Sequence, residues 1–193
     1  MYLKMGAEFI DTDLVFLIEI LEMLDIKLEK LNLDIQEAIN CSADPDSFGY
    51  FDRSEYLVGV GFCTCQRYLS STYGPIKIDK AKALKVGPFH EGGFSLATII
   101  NVAANYWKHS DEWNSIGYYA NSEENELELV IRSIENLSKQ QKGTVSAIET
   151  VTPWADYTCA NILALITPSS ESKLVELVPI LREWRAELDR LIV

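Results

Sequence analysis

Residues 11–40 read DTDLVFLIEILEMLDIKLEKLNLDIQEAIN, and the spacing of their leucines decides the fold. Leu14, Leu17, Leu21, Leu24, Leu28, Leu31, Ile35 and Ala38 recur at steps of three and four, which places them on one stripe of a helix. Asp11, Thr12 and Asp13 stand ahead of the stripe. Their short oxygen-bearing side chains accept from the free amides of a helix start, and the acids suit the positive end of its dipole. The spacing therefore predicts a helix from about Asp11 to Ala38 or Asn40. Val15, Phe16, Ile18, Ile20, Met23 and Ile26 widen the apolar surface beyond that stripe. Such a helix needs neighbours on more than one side, so it is either a core helix or a dimer helix.

Outward from this element the chain alternates apolar helical runs with turn residues. Ser42 to Ser47 is turn chemistry, and a second helix follows with Asp52 or Ser54 as its cap and Tyr56, Leu57, Val60, Cys63, Tyr68 and Leu69 as its apolar positions. Gly59 and Gly61 within it are suited to close helix approach. Tyr73-Gly74-Pro75 ends it, Asp79 caps a short turn over 80–86, and Gly87-Pro88 interrupts the backbone again. A wide apolar run predicts a central helix from about Ser95 to His109. Another is expected from Ser122 to about Gly143, then a short strand or loop over 144–150. Thr152-Pro153-Trp154 reads as a cap with proline at the first helical position, opening a helix to about Ile166. A terminal helix over 171–192 should kink or break at Pro179. The expected fold is all-α, a bundle of six or seven helices in one domain over residues 1–193, with negligible sheet.

Composition bounds the function. The chain of 193 residues is 48% hydrophobic, enough for a sizeable core, and has no run of about 18 uncharged apolar residues that would span a membrane. Residues 1–13 carry acids where a secretion signal needs a basic head and an apolar run. Four cysteines lack the density of a disulfide scaffold, so the expected location is a reducing cytoplasm. Cys63 and Cys65 form the one close pair; two apart on a helix, their sulfurs point to nearly opposite faces, which favours buried small hydrophobes over a shared metal.

The net charge is −12 and unevenly spread. Residues 1–55 carry 4 basic and 13 acidic side chains, whereas residues 66–108 carry 6 and 2. The acidic surface fits ordinary solubility or imitation of a nucleic-acid backbone toward a basic partner. Lys77, Lys80, Lys82, Lys85 and Lys108 make the positive island, read either as solvated lysines or as a phosphate-facing surface.

The two histidines, His90 and His109, flank the predicted central helix. Its length would hold them roughly 20 Å apart, too far to share a metal. His109 has Asn105, Lys108, Asp111 and Glu112 as neighbours, and at a helix C-terminus it faces the negative dipole end, a setting for a proton donor, a phosphate contact or a simple cap. Catalytic candidates are His109, Lys108 and Asn105. Binding candidates are His90, Glu91, Trp107, Asp111, Glu112 and Trp113, with Tyr106, Tyr118 and Tyr119 completing an aromatic group able to stack a base or to pack as core. No phosphate loop, nucleophile elbow or metal-binding motif occurs, so no cofactor and no metal are expected.

The segment Asn101 to Trp113, with its late-helix histidine in an all-helical chain, resembles the HEPN group, dimeric helical bundles of prokaryotic toxin and defence systems, many of them metal-independent ribonucleases. The group's arginine four to six residues before the histidine has no counterpart ahead of His109, so only His109 carries over. Two functions follow as expectations. The first is an acidic helical protein, a homodimer acting through protein partners, as a component of a bacterial or phage conflict system. The second, implied by the resemblance, is a ribonuclease or nucleotide-acting enzyme using His109 as general acid and Lys108, or a base from a partner subunit, to hold phosphate.

Overall fold

The structure, a computed structural model, describes residues 2–5, 8–109, 137–152, 156–169 and 171–191. Its described residues hold seven α-helices and one short hairpin, in which β1 (Tyr2–Met5) pairs antiparallel with β2 (Glu8–Asp11). The fold is all-α.

The first helix, α1 (Thr12–Asn40), has the boundaries its leucines dictate. Asp11 caps it by accepting from the Leu14 amide at 3.0 Å. Leu14, Leu17, Leu21, Leu24, Leu28, Leu31 and Ala38 are buried by this chain itself, while Ile35 of the same seam is half-buried. After a 3₁₀ turn at Asp46–Phe48 comes α2 (Tyr50–Tyr73), which packs on α1, on α4 (Leu96–Lys108) and on α6 (Thr158–Ile166). It starts earlier than a cap at Asp52 or Ser54 would allow, because Gly49 adopts a left-handed φ of +64° and turns the chain directly into the helix. A Cβ on Gly59 would lie 2.0 Å from the Trp107 ring of α4, and one on Gly61 would lie 2.5 Å from Leu174. Both glycines thus make room for a bulky side chain of a neighbouring element.

The short α3 (Lys80–Ala83) is capped by Asp79, as its sequence predicts, through the amides of Ala81 and Lys82. Ser95 caps α4, and Thr98 donates to the Leu84 carbonyl at 2.8 Å, tying the end of α3 to the start of α4.

Three expectations are corrected in the second half. Lys139–Val151 is a helix, α5, so Gly143 lies inside a helix and 144–150 is neither strand nor loop. Ser138 and Gln141 form a reciprocal capping box at its start, while Thr144, Ala147, Ile148 and Val151, a 3-4-7 pattern, are buried. The part of the expected helix over 122–136 lies outside the described residues. Thr152 closes α5, its amide donating to the Ile148 carbonyl at 2.7 Å, and α6 begins at Thr158 instead. The terminal helix, α7 (Leu177–Arg190), follows a 3₁₀ turn at Leu174–Glu176. Pro179 neither kinks nor breaks it, because it is the third helical residue, where an amide has no partner to lose.

The buried side chains of α1, α2, α4, α5, α6 and α7 form one cluster. Trp184 of α7 is its largest fully buried member and donates through Nε1 to the Ala83 carbonyl at 2.8 Å.

Candidate functional site

The region around the end of α4 is built on a ladder of amides. Gln66 of α2 donates through Nε2 to Asn101 Oδ1 at 3.0 Å and to Asn105 Oδ1 at 2.8 Å, and accepts from Lys108 Nζ at 2.6 Å through Oε1. Asn101, Asn105 and Lys108 repeat at helical spacing, so one glutamine on the facing helix reaches all three. Asn101 is buried, and its polar atoms must be met there. The structure therefore brings two expected residues, Asn105 and Lys108, to one partner that sequence reasoning missed. His109 stands outside the ladder as the exposed C-cap of α4, its amide shared between the carbonyls of Asn105 and Tyr106.

The binding candidates separate. Trp107 lies against the bare backbone of Gly59 and meets Tyr56 edge-on at 5.3 Å, so its ring is a packing knob between α2 and α4. His90 sits at the other end of α4 in a tight turn: its amide donates to the Phe94 carbonyl at 2.8 Å and its Nδ1 accepts from Gly92 at 3.1 Å. Glu91 in that turn is exposed. Asp111, Glu112 and Trp113 lie outside the described residues, as do Tyr118 and Tyr119. The positive island is likewise divided. Lys77, Lys80, Lys82 and Lys85 are exposed around α3, beside the start of α4, whereas Lys108 is at its end, about 20 Å of helix away.

Where α2, α4 and α6 meet, Cys63 and Cys159 donate to the successive carbonyls of Ala104 and Ala103, each at 3.8 Å. Burial pushes the thiols of Cys63, Cys65 and Cys159 up, and beside Cys63 the ammonium of Lys108 opposes the shift. These thiols stay protonated and pack as small apolar groups. Among the described residues no three histidine, cysteine or carboxylate side chains are grouped to hold a metal ion.

Three half-buried acids act as helix caps. Glu55 of α2 accepts from the Cys159 and Ala160 amides, both at 2.9 Å, at the start of α6. Asp25 of α1 does the same for Leu174 and Val175, at 2.7 and 2.9 Å. Burial raises the Asp25 pKa, and those two amides oppose the rise. Asp11, besides capping α1, accepts from Tyr68 at 2.7 Å and from Arg185, joining α1, α2 and α7. Each carboxylate satisfies amides or donors more than fifty residues away in sequence, and no local motif announces those distant contacts.

Asp25 also borders a cleft of about 510 Å³ between α1, α2, α6 and residues 171–173. Leu28, Ile35, Val58 and Leu163 line it, while at its rim Lys173 pairs with Glu171 at 2.6 Å. Asp25, Glu171 and Lys173 are thus engaged with backbone or with one another, and Glu29 also lines the cleft.

The outer side of α1 differs from all of these. Phe16 is 60% exposed, Met23 57%, Ile26 66% and Leu33 66%, with Val15 and Ile20 beside them. No protein family, curated protein or solved structure matches the chain.

Proposed function

We propose that this protein acts by binding protein partners through its helices, self-association included, with the outer face of α1 as the contact surface. The observation that carries the reading is the exposure of Phe16, Met23, Ile26 and Leu33 on one helix whose opposite face carries the buried leucines. Large apolar side chains left in water are unfavourable, and their clustering on one exposed face marks a surface for partners. The resemblance to dimeric HEPN bundles points the same way. The nuclease reading stands second. Asn105 and Lys108 share Gln66 near His109, but the other lysines of the positive island lie at the far end of α4, away from any phosphate held there.

The test is site-specific crosslinking. A photoreactive amino acid at Phe16 or Met23, in cells making the full chain, should give protein adducts that the same group at the exposed Lys82 does not. Adduct mass identifies a second copy or another protein. Absence of adducts at Phe16 and Met23, or equal yield at Lys82, would defeat the reading.

A further inference from the structure

The exposed strip of α1 has a second regularity. Phe16, Glu19, Met23, Ile26, Lys30 and Leu33 follow steps of three and four, and all six are exposed. They make a second stripe on the side of α1 away from the leucine seam. Its order is complementary to itself when reversed. Read from the two ends toward a midpoint between Leu24 and Asp25, Phe16 matches Leu33, Glu19 matches Lys30, and Met23 matches Ile26. Each match joins apolar to apolar or acid to base.

Resting on the reading above, we infer that the occupant of this face is a second copy of the chain, its α1 packed antiparallel across a twofold axis at that midpoint. In this arrangement the a-type positions Phe16, Met23 and Lys30 meet the partner's d-type positions, which is how antiparallel helix pairs form their layers. Every layer then occurs twice, as a twofold interface requires. Two apolar layers on each side of the axis supply the buried surface, and the paired Glu19 and Lys30 layers fix direction and register. A parallel pair would set Glu19 against Glu19 and Lys30 against Lys30, so the charges select against it. The stripe spans about 26 Å, the length of a two-and-a-half-heptad contact. Val15 and Ile20 flank it as additional exposed apolar surface.

Charge exchange tests this pairing, read by sedimentation equilibrium of the full chain at 2–100 μM with circular dichroism confirming the fold. The wild type should dimerise. Glu19→Lys alone sets lysine against lysine and should raise the dimer dissociation constant at least about tenfold, as should Lys30→Glu alone. The double variant Glu19→Lys/Lys30→Glu restores every layer with the charges exchanged and should return to within about threefold of wild type. Dimers insensitive to the single changes, or unrescued by the double change, overturn the antiparallel pairing. A folded wild type that stays monomeric at 100 μM also overturns it. Crosslinks from Phe16 to a different protein would then leave the binding role of the face intact, and absence of any crosslink would remove both.

Discussion

The two long faces of α1 carry the same 3-4 spacing and meet different fates. The inner stripe is leucine at each position from Leu14 to Leu31, and these leucines are buried by α2, by the Leu174–Glu176 turn and by their neighbours. The outer stripe mixes Phe16, Met23, Ile26 and Leu33 with Glu19 and Lys30 and stays in solvent. Periodicity therefore defines a helix face, while its chemistry and exposure distinguish one face from the other. A uniform aliphatic stripe can be matched by many surfaces of one chain. A stripe whose charges match its own reverse is more selective, because each charge removed from water needs an opposite at a fixed register.

Breaking the inner stripe should have the largest effect. Leu21 is fully buried, and Leu21→Ala should lower stability by about 2–5 kcal/mol in urea unfolding of dilute protein, through lost transfer energy and the cavity left behind. Ile26→Ala on the outer stripe should change the monomer by no more than about 0.5 kcal/mol. Equal losses at both positions would erase the distinction between the faces. Gly59 comes next. Alanine ordinarily stabilises a helix relative to glycine, but here its Cβ would enter the Trp107 ring, so Gly59→Ala should cost about 1–3 kcal/mol. In a Trp107→Ala background the same change should become stabilising. A loss of the same size in both backgrounds would show that the ring does not set the cost.

How much of this was legible depended on whether the signal was local. The inner stripe and its Asp11 cap lie within thirty residues, and both boundaries of α1 follow from them. The outer stripe is equally local, but Glu19 and Lys30 interrupt its apolar pattern, and its order is informative only once exposure identifies the face. In α5, Gly143 and the β-branched Thr144, Val145 and Thr150 obscured a helix that the Ser138 to Gln141 box and the buried 144, 147, 148 and 151 positions define. Pro153 after Thr152 suggested a helix start, yet Thr152 ends α5, since a residue before proline favours extended backbone. At the end of α4 the sequence pointed to Asn105 and Lys108 but not to Gln66, which comes from another helix 39 residues away from Asn105. The carboxylate caps were invisible for the same reason: Asp25 and Leu174 are 149 residues apart.

Asp25 carries the next prediction, since it links the inner side of α1 to the entry of α7. Asp25→Ala leaves two amides at Leu174 and Val175 without their acceptor and should cost about 1–3 kcal/mol. The loss should depend on pH in a defined sense. Burial raises the folded-state pKa of Asp25, so the folded chain holds that proton more tightly than the unfolded chain does. The contribution of this group is therefore greatest below its unfolded value near 3.8 and declines as pH rises through the higher folded value. Unfolding midpoints of wild type and Asp25→Ala at pH 3.5 and pH 7 check this. Wild type should keep more of its advantage at the lower pH, and an advantage that grows toward neutrality would reverse the assignment of burial as the dominant effect.

The smallest effect is expected at Lys108, where the comparison extends from α1 to the end of α4. Its ammonium is exposed and donates to Gln66, so Lys108→Ala removes a charge-assisted but solvent-accessible bond, and the stability change should be no more than about 1 kcal/mol. The informative readout is RNA binding. An ammonium has three donors, and with one directed to Gln66 the others can still meet an anion. If the end of α4 held phosphate, Lys108→Ala would weaken RNA affinity about equally for all sequences and reduce its salt slope by about 1, and His109→Ala would abolish any cleavage seen in EDTA. With Lys77, Lys80, Lys82 and Lys85 of the positive island gathered around α3 and the acids outnumbering the bases by 12, the expected result is weak RNA binding that neither substitution alters, and no cleavage. Cleavage by the wild type that disappears in His109→Ala would move the function of the chain from the outer face of α1 to the end of α4.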